Sequence, residues 1–133
     1  EILPRAMKSI MSGEALHGGS GAGPGPRCLI VKRGSGGVLA MLPGGALALP
    51  AYPTDKIVDP TGCGDSFAGS LLSYLIGRQG VLNDLDAIRN ALVHATVTSS
   101  FTLGGIGVTA LGSIDRGIYH ARVDRYRRIV GIS

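Results

Sequence analysis

The stretch Val58-Asp59-Pro60-Thr61-Gly62-Cys63-Gly64-Asp65-Ser66-Phe67-Ala68-Gly69 constrains this chain more than any other. Ile57 and Val58 read as the end of a strand. Two glycines then bracket a small residue, and Asp65 to Leu75 carries Phe67, Leu71, Leu72 and Leu75 at helical spacing. A helix apolar almost all round is expected in a core. Strand, glycine turn and buried helix in that order build an α/β layer. Open sheets of this kind take their ligands at the C-terminal ends of strands.

The same residues carry chemistry. Gly62 and Gly64 precede a helix start, where exposed N–H groups and the helix dipole favour an anion such as phosphate. Without side chains, the glycines let a phosphate oxygen approach the main chain. Asp65 falls in the first helical turn beside that anion site, where the dipole favours its ionised form and so its use as a base toward a hydroxyl. A cradle for charge and a base for the attacking oxygen are the two needs of phosphoryl transfer. On the Gly-x-Gly-Asp string alone, a tight turn capped by Asp65 is the competing account, since Asp is a favoured cap residue.

Around this segment the chain is punctuated by glycine, 22 of 133 residues, against a usual share of about 7%. Residues 2–12 place Leu3, Ala6, Met7 and Ile10 at helical spacing, and His17 to Pro26 reads as a loop. Cys28 to Val31, Val38 to Met41 and Ala46 to Leu49 read as short strands, with turns at Gly34, Gly36 and Gly37 and at Pro43-Gly44-Gly45. A helix over about 84–99 puts Leu85, Ile88, Leu92 and Ala95 on one face. Thr102 to Thr109 is a glycine-containing loop, and Ser113 is the expected cap of a final helix.

Bulk properties exclude several classes. A hydrophobic fraction of 44% with no long charged block argues for a packed domain, of a length that buries about two-thirds of its unfolded surface. Net charge is +4, and Arg116, Arg122, Arg125, Arg127 and Arg128 crowd one C-terminal helix. A solvated helix face accounts for them, because no nucleic-acid motif accompanies them and only Tyr119 and Tyr126 interleave. Cys28 and Cys63 lack metal or disulfide spacing, which points to a reduced, cytoplasmic setting. His17 and His120 have no ligand-spaced partners. There is no signal-peptide pattern and no apolar run near the roughly 18 residues of a membrane span. The chain opens at Glu1 inside a predicted helix, as a fragment or a processed product would.

Asp59-Pro-Thr-Gly-Cys-Gly-Asp65-Ser-Phe-Ala-Gly69 closely resembles the C-terminal signature of the PfkB, ribokinase-like, carbohydrate kinases, with Cys63 where Ala is more usual. Leu29-Ile-Val-Lys-Arg-Gly-Ser-Gly-Gly-Val38 is similar to the strand and glycine turn that run along the nucleotide. Ala91-Leu-Val-His-Ala95, with Ser100-Phe-Thr-Leu103 and Gly107, is similar to the helix and loop beside the adenine. The resemblance implies an α/β fold, the C-terminal part of a ribokinase-like, Rossmann-type three-layer αβα domain spanning residues 1–133. It implies ATP with Mg²⁺, and a sugar or nucleoside as acceptor. Asp65 would be the general base, and the backbone N–H groups of Gly62, Cys63 and Gly64 the anion hole. Lys32, Gly34, Gly37 and His94 match ATP-site positions. The carbonyls of Asp59 and Thr61 match donors to a monovalent cation, K⁺. Lys32 reads equally as a plain strand-end charge, and His94 as a helix histidine satisfied by packing.

Relatives of that family are roughly twice as long, and their N-terminal half holds the sugar. Nothing here corresponds to it, so the chain alone is expected to be inactive and to pair with another copy or to aggregate. A non-catalytic nucleotide-binding module that keeps the anion loop is the alternative function. A basic interaction domain acting through the arginine-rich helix is a third.

Overall fold

Leu29 to Leu49 forms an antiparallel meander because short β-prone runs are separated by glycine-bearing turns. In the computed structural model, which describes residues 2–12, 25–107 and 109–133, β1 is Leu29–Lys32, β2 is Val38–Leu42 and β3 is Gly45–Leu49. The sheet order is β1-β2-β3. Lys32 pairs with Val38, Val38 with Leu49 and Leu42 with Gly45, so a two-residue turn, Pro43-Gly44, closes the second hairpin. Alternation puts Val38, Ala40 and Leu42 on the buried face, joined by Leu47 and Leu49.

Five α-helices, with short 3₁₀ turns at Gly34–Gly36 and Val81–Asn83, complete the described residues: α1 Ile2–Met11, α2 Cys63–Leu75, α3 Leu85–Leu103, α4 Thr109–Gly112 and α5 Arg116–Val130. Helix α3 is the centre. It packs against α2, α4, α5 and β3, and Ile88, Ala91, Leu92, Val93, Ala95 and Val97 are fully enclosed. Asp84 starts it, its carboxylate accepting from the amides of Asp86 and Ala87, both at 3.0 Å. Helix α5 starts in the same way at Asp115, which accepts from Gly117 N at 2.7 Å. It stops at Gly131 (φ 71°), where Ile132 N reaches back to Arg127 O at 2.9 Å. No helix among the described residues is long and apolar enough to cross a membrane.

Several expectations are corrected. Ile57 and Val58 are not a strand. Among the described residues the only sheet is the antiparallel one, so two residues have no ladder to join, and Val58 N instead donates to Leu103 O at 2.9 Å. The site described below therefore opens beside a helix start, not at the end of a parallel strand. Helix α2 is not enclosed all round: Phe67 and Leu71 are buried, but Leu72 is 60% exposed and Ile76 is more so. The helix buried on nearly all sides is α3, which runs four residues past the predicted end. Ser113 is not the cap of the last helix. Its hydroxyl donates to Thr109 O and Ala110 O, while Asp115 supplies the cap. The arginines of α5 do not form one solvated face, because Arg122 and Arg127 are half-buried against α3. Most of the predicted loop His17–Pro26 lies outside the described residues.

Candidate active site

Helix α2 begins at a left-handed glycine. Gly62 (φ 82°) is its N-cap residue, so the chain turns there at little steric cost. Before it, Asp59 makes a local turn of its own. Its Oδ1 accepts from Thr61 N at 2.9 Å, and this bond holds the carboxyl below the usual carboxylate range. Asp65 is the third residue of α2 and its side chain is exposed, so it is not the cap that the competing account required. Cys63 N turns back to Pro60 O at 3.2 Å, whereas the amides of Gly64 and Asp65 find no acceptor among the described residues. The amide of Gly62 likewise finds no acceptor among the described residues, so of the three amides expected to form an anion hole only that of Cys63 is engaged in the turn.

The turn is tied to the C-terminal part of α3. The Cys63 carbonyl accepts from Ser66 Oγ and from Ser99 Oγ, each at 3.1 Å, and Thr102 Oγ1 donates to Ser66 Oγ at 2.9 Å. Across from it, Lys32 at the end of β1 donates from Nζ to Gly64 O at 3.1 Å, its ammonium 5.8 Å from the centre of the Phe67 ring. A Cβ on Gly64 would lie 2.7 Å from that ammonium nitrogen. Lys32 is accordingly part of the loop's surroundings and not a bare strand-end charge. Gly37 (φ 81°) is fixed by crowding as well as by conformation, since a Cβ there would stand 2.1 Å from Leu49 O. Gly34 (φ 56°) needs only the conformation.

These elements enclose a cavity of about 490 Å³. Of the residues predicted for the site, Lys32, Gly34, Gly37, Cys63 and Gly64 line it. Gly62 and Asp65 flank two of those along the chain. His94 does not line it. Its ring lies between those of Tyr74 (5.5 Å) and Tyr119 (5.9 Å), with Nδ1 2.9 Å from the Tyr119 hydroxyl, which is the packing account. Burial, then the charges of Arg127 and His120, push the His94 pKa down.

Tyr52, Thr96 and Ser99 also line the cavity without any expectation attached to them, beside Phe67 and Ser100, which fall inside the motifs quoted above. One signal pointed to three of them. Thr96, Ser99 and Ser100 stand at i, i+3 and i+4 on α3 beside the apolar Ala95, Val97 and Phe101, a polar strip that its burial demands be used. Tyr52 left no such signal. No group of three or more His, Cys, Asp or Glu among the described residues could hold a metal ion.

Residues 13–109 match the family described as pfkB family carbohydrate kinase. The chain belongs to that family. A curated relative, the bifunctional ribokinase/ribose-5-phosphate isomerase A of Fructilactobacillus sanfranciscensis, is 35% identical over 79 residues, 59% of this chain and 13% of its own length. Among solved structures, the nucleoside kinase of Burkholderia thailandensis in complex with ADP-inosine superposes with a TM-score of 0.62 at 29% identity, covering 75% of this chain and 29% of that one. The aminoimidazole riboside kinase of Salmonella enterica, complexed with aminoimidazole riboside and an ATP analogue, superposes with a TM-score of 0.62 at 26% identity. It covers 84% of this chain and 40% of that one. The fold is therefore α/β of the ribokinase type. This pfkB-family chain spans well under half the length of each of these relatives.

Proposed function

We propose that the chain forms the C-terminal, ATP-binding and catalytic portion of a pfkB-type kinase domain that moves the γ-phosphate of ATP to a hydroxyl of a sugar or nucleoside. The observation that carries this reading is the first turn of α2. Two amides without acceptors among the described residues, the Lys32 ammonium and the Asp65 carboxylate meet there at the rim of a cavity. Membership of the family and the sugar and nucleoside kinases it resembles supply the rest of the support.

In this reading the adenosine part of ATP occupies the cavity, and the phosphates reach Gly62-Cys63-Gly64. Gly64 leaves a gap there that a Cβ would fill. Lys32 and the positive end of α2 offset the charge that builds on the transferred group. Asp65 takes the proton of the acceptor hydroxyl. The freed oxygen bonds to the γ-phosphorus as the bond to the β–γ bridging oxygen breaks, releasing ADP. Mg²⁺ has no cluster of ligands of its own among the described residues and would arrive on the phosphates. The carbonyls of Asp59 and Thr61 accept no hydrogen bond from a described residue, which suits them to a monovalent cation such as K⁺. Use of ATP agrees with the cytoplasmic setting expected from the two cysteines.

The test is ATP-dependent phosphorylation of a panel of pentoses, hexoses and nucleosides by the complete protein, with whatever chain flanks residues 1–133. Transfer to at least one acceptor is expected. ATP binding without transfer to any would favour the non-catalytic nucleotide-binding module, and no ATP binding would refute both.

A further inference from the structure

Helix α5 contributes no residue to the cavity lining, yet it fixes part of the wall. The Arg122 guanidinium lies 3.6 Å from the centre of the Phe101 ring and 5.3 Å from that of Tyr52. One of its edges donates from Nη1 to Ser100 Oγ at 3.2 Å. Both Tyr52 and Ser100 line the cavity. One turn further along α5, the buried Tyr126 donates from its hydroxyl to Pro50 O and sets its ring 5.8 Å from that of Tyr52. The strap over 50–52 is thus held by α5 at two points, and Arg122 is the one that bonds Ser100 on α3.

Arg122 makes no ion pair with a carboxylate among the described residues. Its charge is met by aromatic rings and one hydroxyl, which uses the flat, forked shape of guanidinium more than its charge. Arginine stacks on rings and orients a hydroxyl at its edge in a way that a lysine ammonium does not.

We infer that Arg122 is a positioning residue for nucleotide binding, holding Tyr52 and Ser100 in place in the cavity wall from behind. This rests on the proposal that the cavity takes the adenosine part of ATP. Without Arg122 the Tyr52 ring gains rotamers, and the Ser100 hydroxyl, left with its 2.6 Å bond to Val97 O, loses the donor that fixes its other side. The part of the ligand that touches them then pays for re-ordering the wall. The phosphates, held by the first turn of α2 and by Lys32, do not depend on it.

Calorimetric titration of the complete protein with ATP and with inorganic triphosphate tests this, alongside the thermal melt of each variant. Arg122→Leu should weaken ATP about tenfold, the equivalent of about 1.4 kcal/mol, and leave triphosphate within about twofold. Arg122→Lys, which keeps the cation over the rings but loses the fork, should fall between wild type and Arg122→Leu. Unchanged ATP affinity in both variants overturns the inference while ATP binding by the wild type stands. Equal losses for ATP and triphosphate would make Arg122 merely structural and also overturn it. A wild type that binds triphosphate but not ATP would remove the reading on which it rests.

Discussion

Gly64 and Lys32 share one small volume, and that sharing decides what each tolerates. Gly64 does not have a positive φ, unlike Gly62 two residues earlier, so a side chain at 64 meets a neighbour and not a forbidden conformation. The neighbour is the flexible end of Lys32, which would swing away from the loop. Gly64→Val should therefore fold, lose the Lys32–Gly64 contact and obstruct the phosphate approach. ATP affinity is expected to fall by an order of magnitude or more, about 1.4 kcal/mol for each tenfold step, and adenosine affinity much less. Titration with both ligands checks this, and equal losses would make the loop structural. At this scale the sequence was informative where a residue type is unusual for its place. Asp65, Gly62 and Gly64 stood out because a carboxylate between glycines and an apolar helix serves little in packing. Tyr52 and Arg122 did not stand out. An aromatic and an arginine are ordinary on any surface, and only the fold brings Arg122 on α5 to Tyr52 some seventy positions away.

Among the elements, the contacts between α2, α3 and α5 converge on His94. Arg78 lies over the Tyr74 ring at 4.0 Å. The rings of Tyr74, His94, Tyr119 and Phe101 follow in near-parallel steps, and Arg122 closes the series. Protonating His94 would put a cation in a half-buried place, and beside Arg127 and His120 as well, which is why its pKa is lowered. The sign follows from linkage. Below the ordinary histidine value the unfolded chain binds the proton more readily than the folded one, so folded stability is present above that value and falls as pH drops through it toward the folded pKa. His94→Phe should flatten this dependence. Thermal melts of wild type and variant between pH 7.5 and 5.5 check it, and parallel curves would contradict it. Elements with strong local signals were legible. The meander strands fell within a residue of their predicted ends, whereas the cap of the last helix did not, since Ser113 and Asp115 are both favoured cap residues two positions apart. The supposed strand at Ile57 was not legible. β-branched residues show what a strand prefers and not whether a partner strand lies beside it, and here the backbone of Val58 pairs with the end of α3.

Taken whole, the molecule keeps one core under the meander and around α3 but leaves a good deal of apolar surface in water. Leu72 on α2, Ile76 just past its end, and Ile57 beside the loop are more than half exposed. Exposed patches of this kind mark surfaces that other polypeptide covers. The covered share of each relative, 29% and 40% for the two solved kinases described above, agrees with a site whose acceptor-holding residues lie elsewhere. Residues 1–133 expressed alone should therefore self-associate and transfer no phosphate. Sedimentation and a coupled ADP assay check both. A monodisperse monomer that phosphorylates a sugar or nucleoside would contradict this.

The central claim is that Asp65 acts as the base beside the first turn of α2. Its most direct test is Asp65→Asn in the complete protein, a change that keeps the shape of the side chain and removes its basicity. Nucleotide affinity by titration should stay within about twofold, because the phosphates are held by amides and Lys32. The rate of phosphoryl transfer should fall by about 10²–10⁴-fold, the range of a general-base contribution. Turnover equal to that of the wild type would contradict the account.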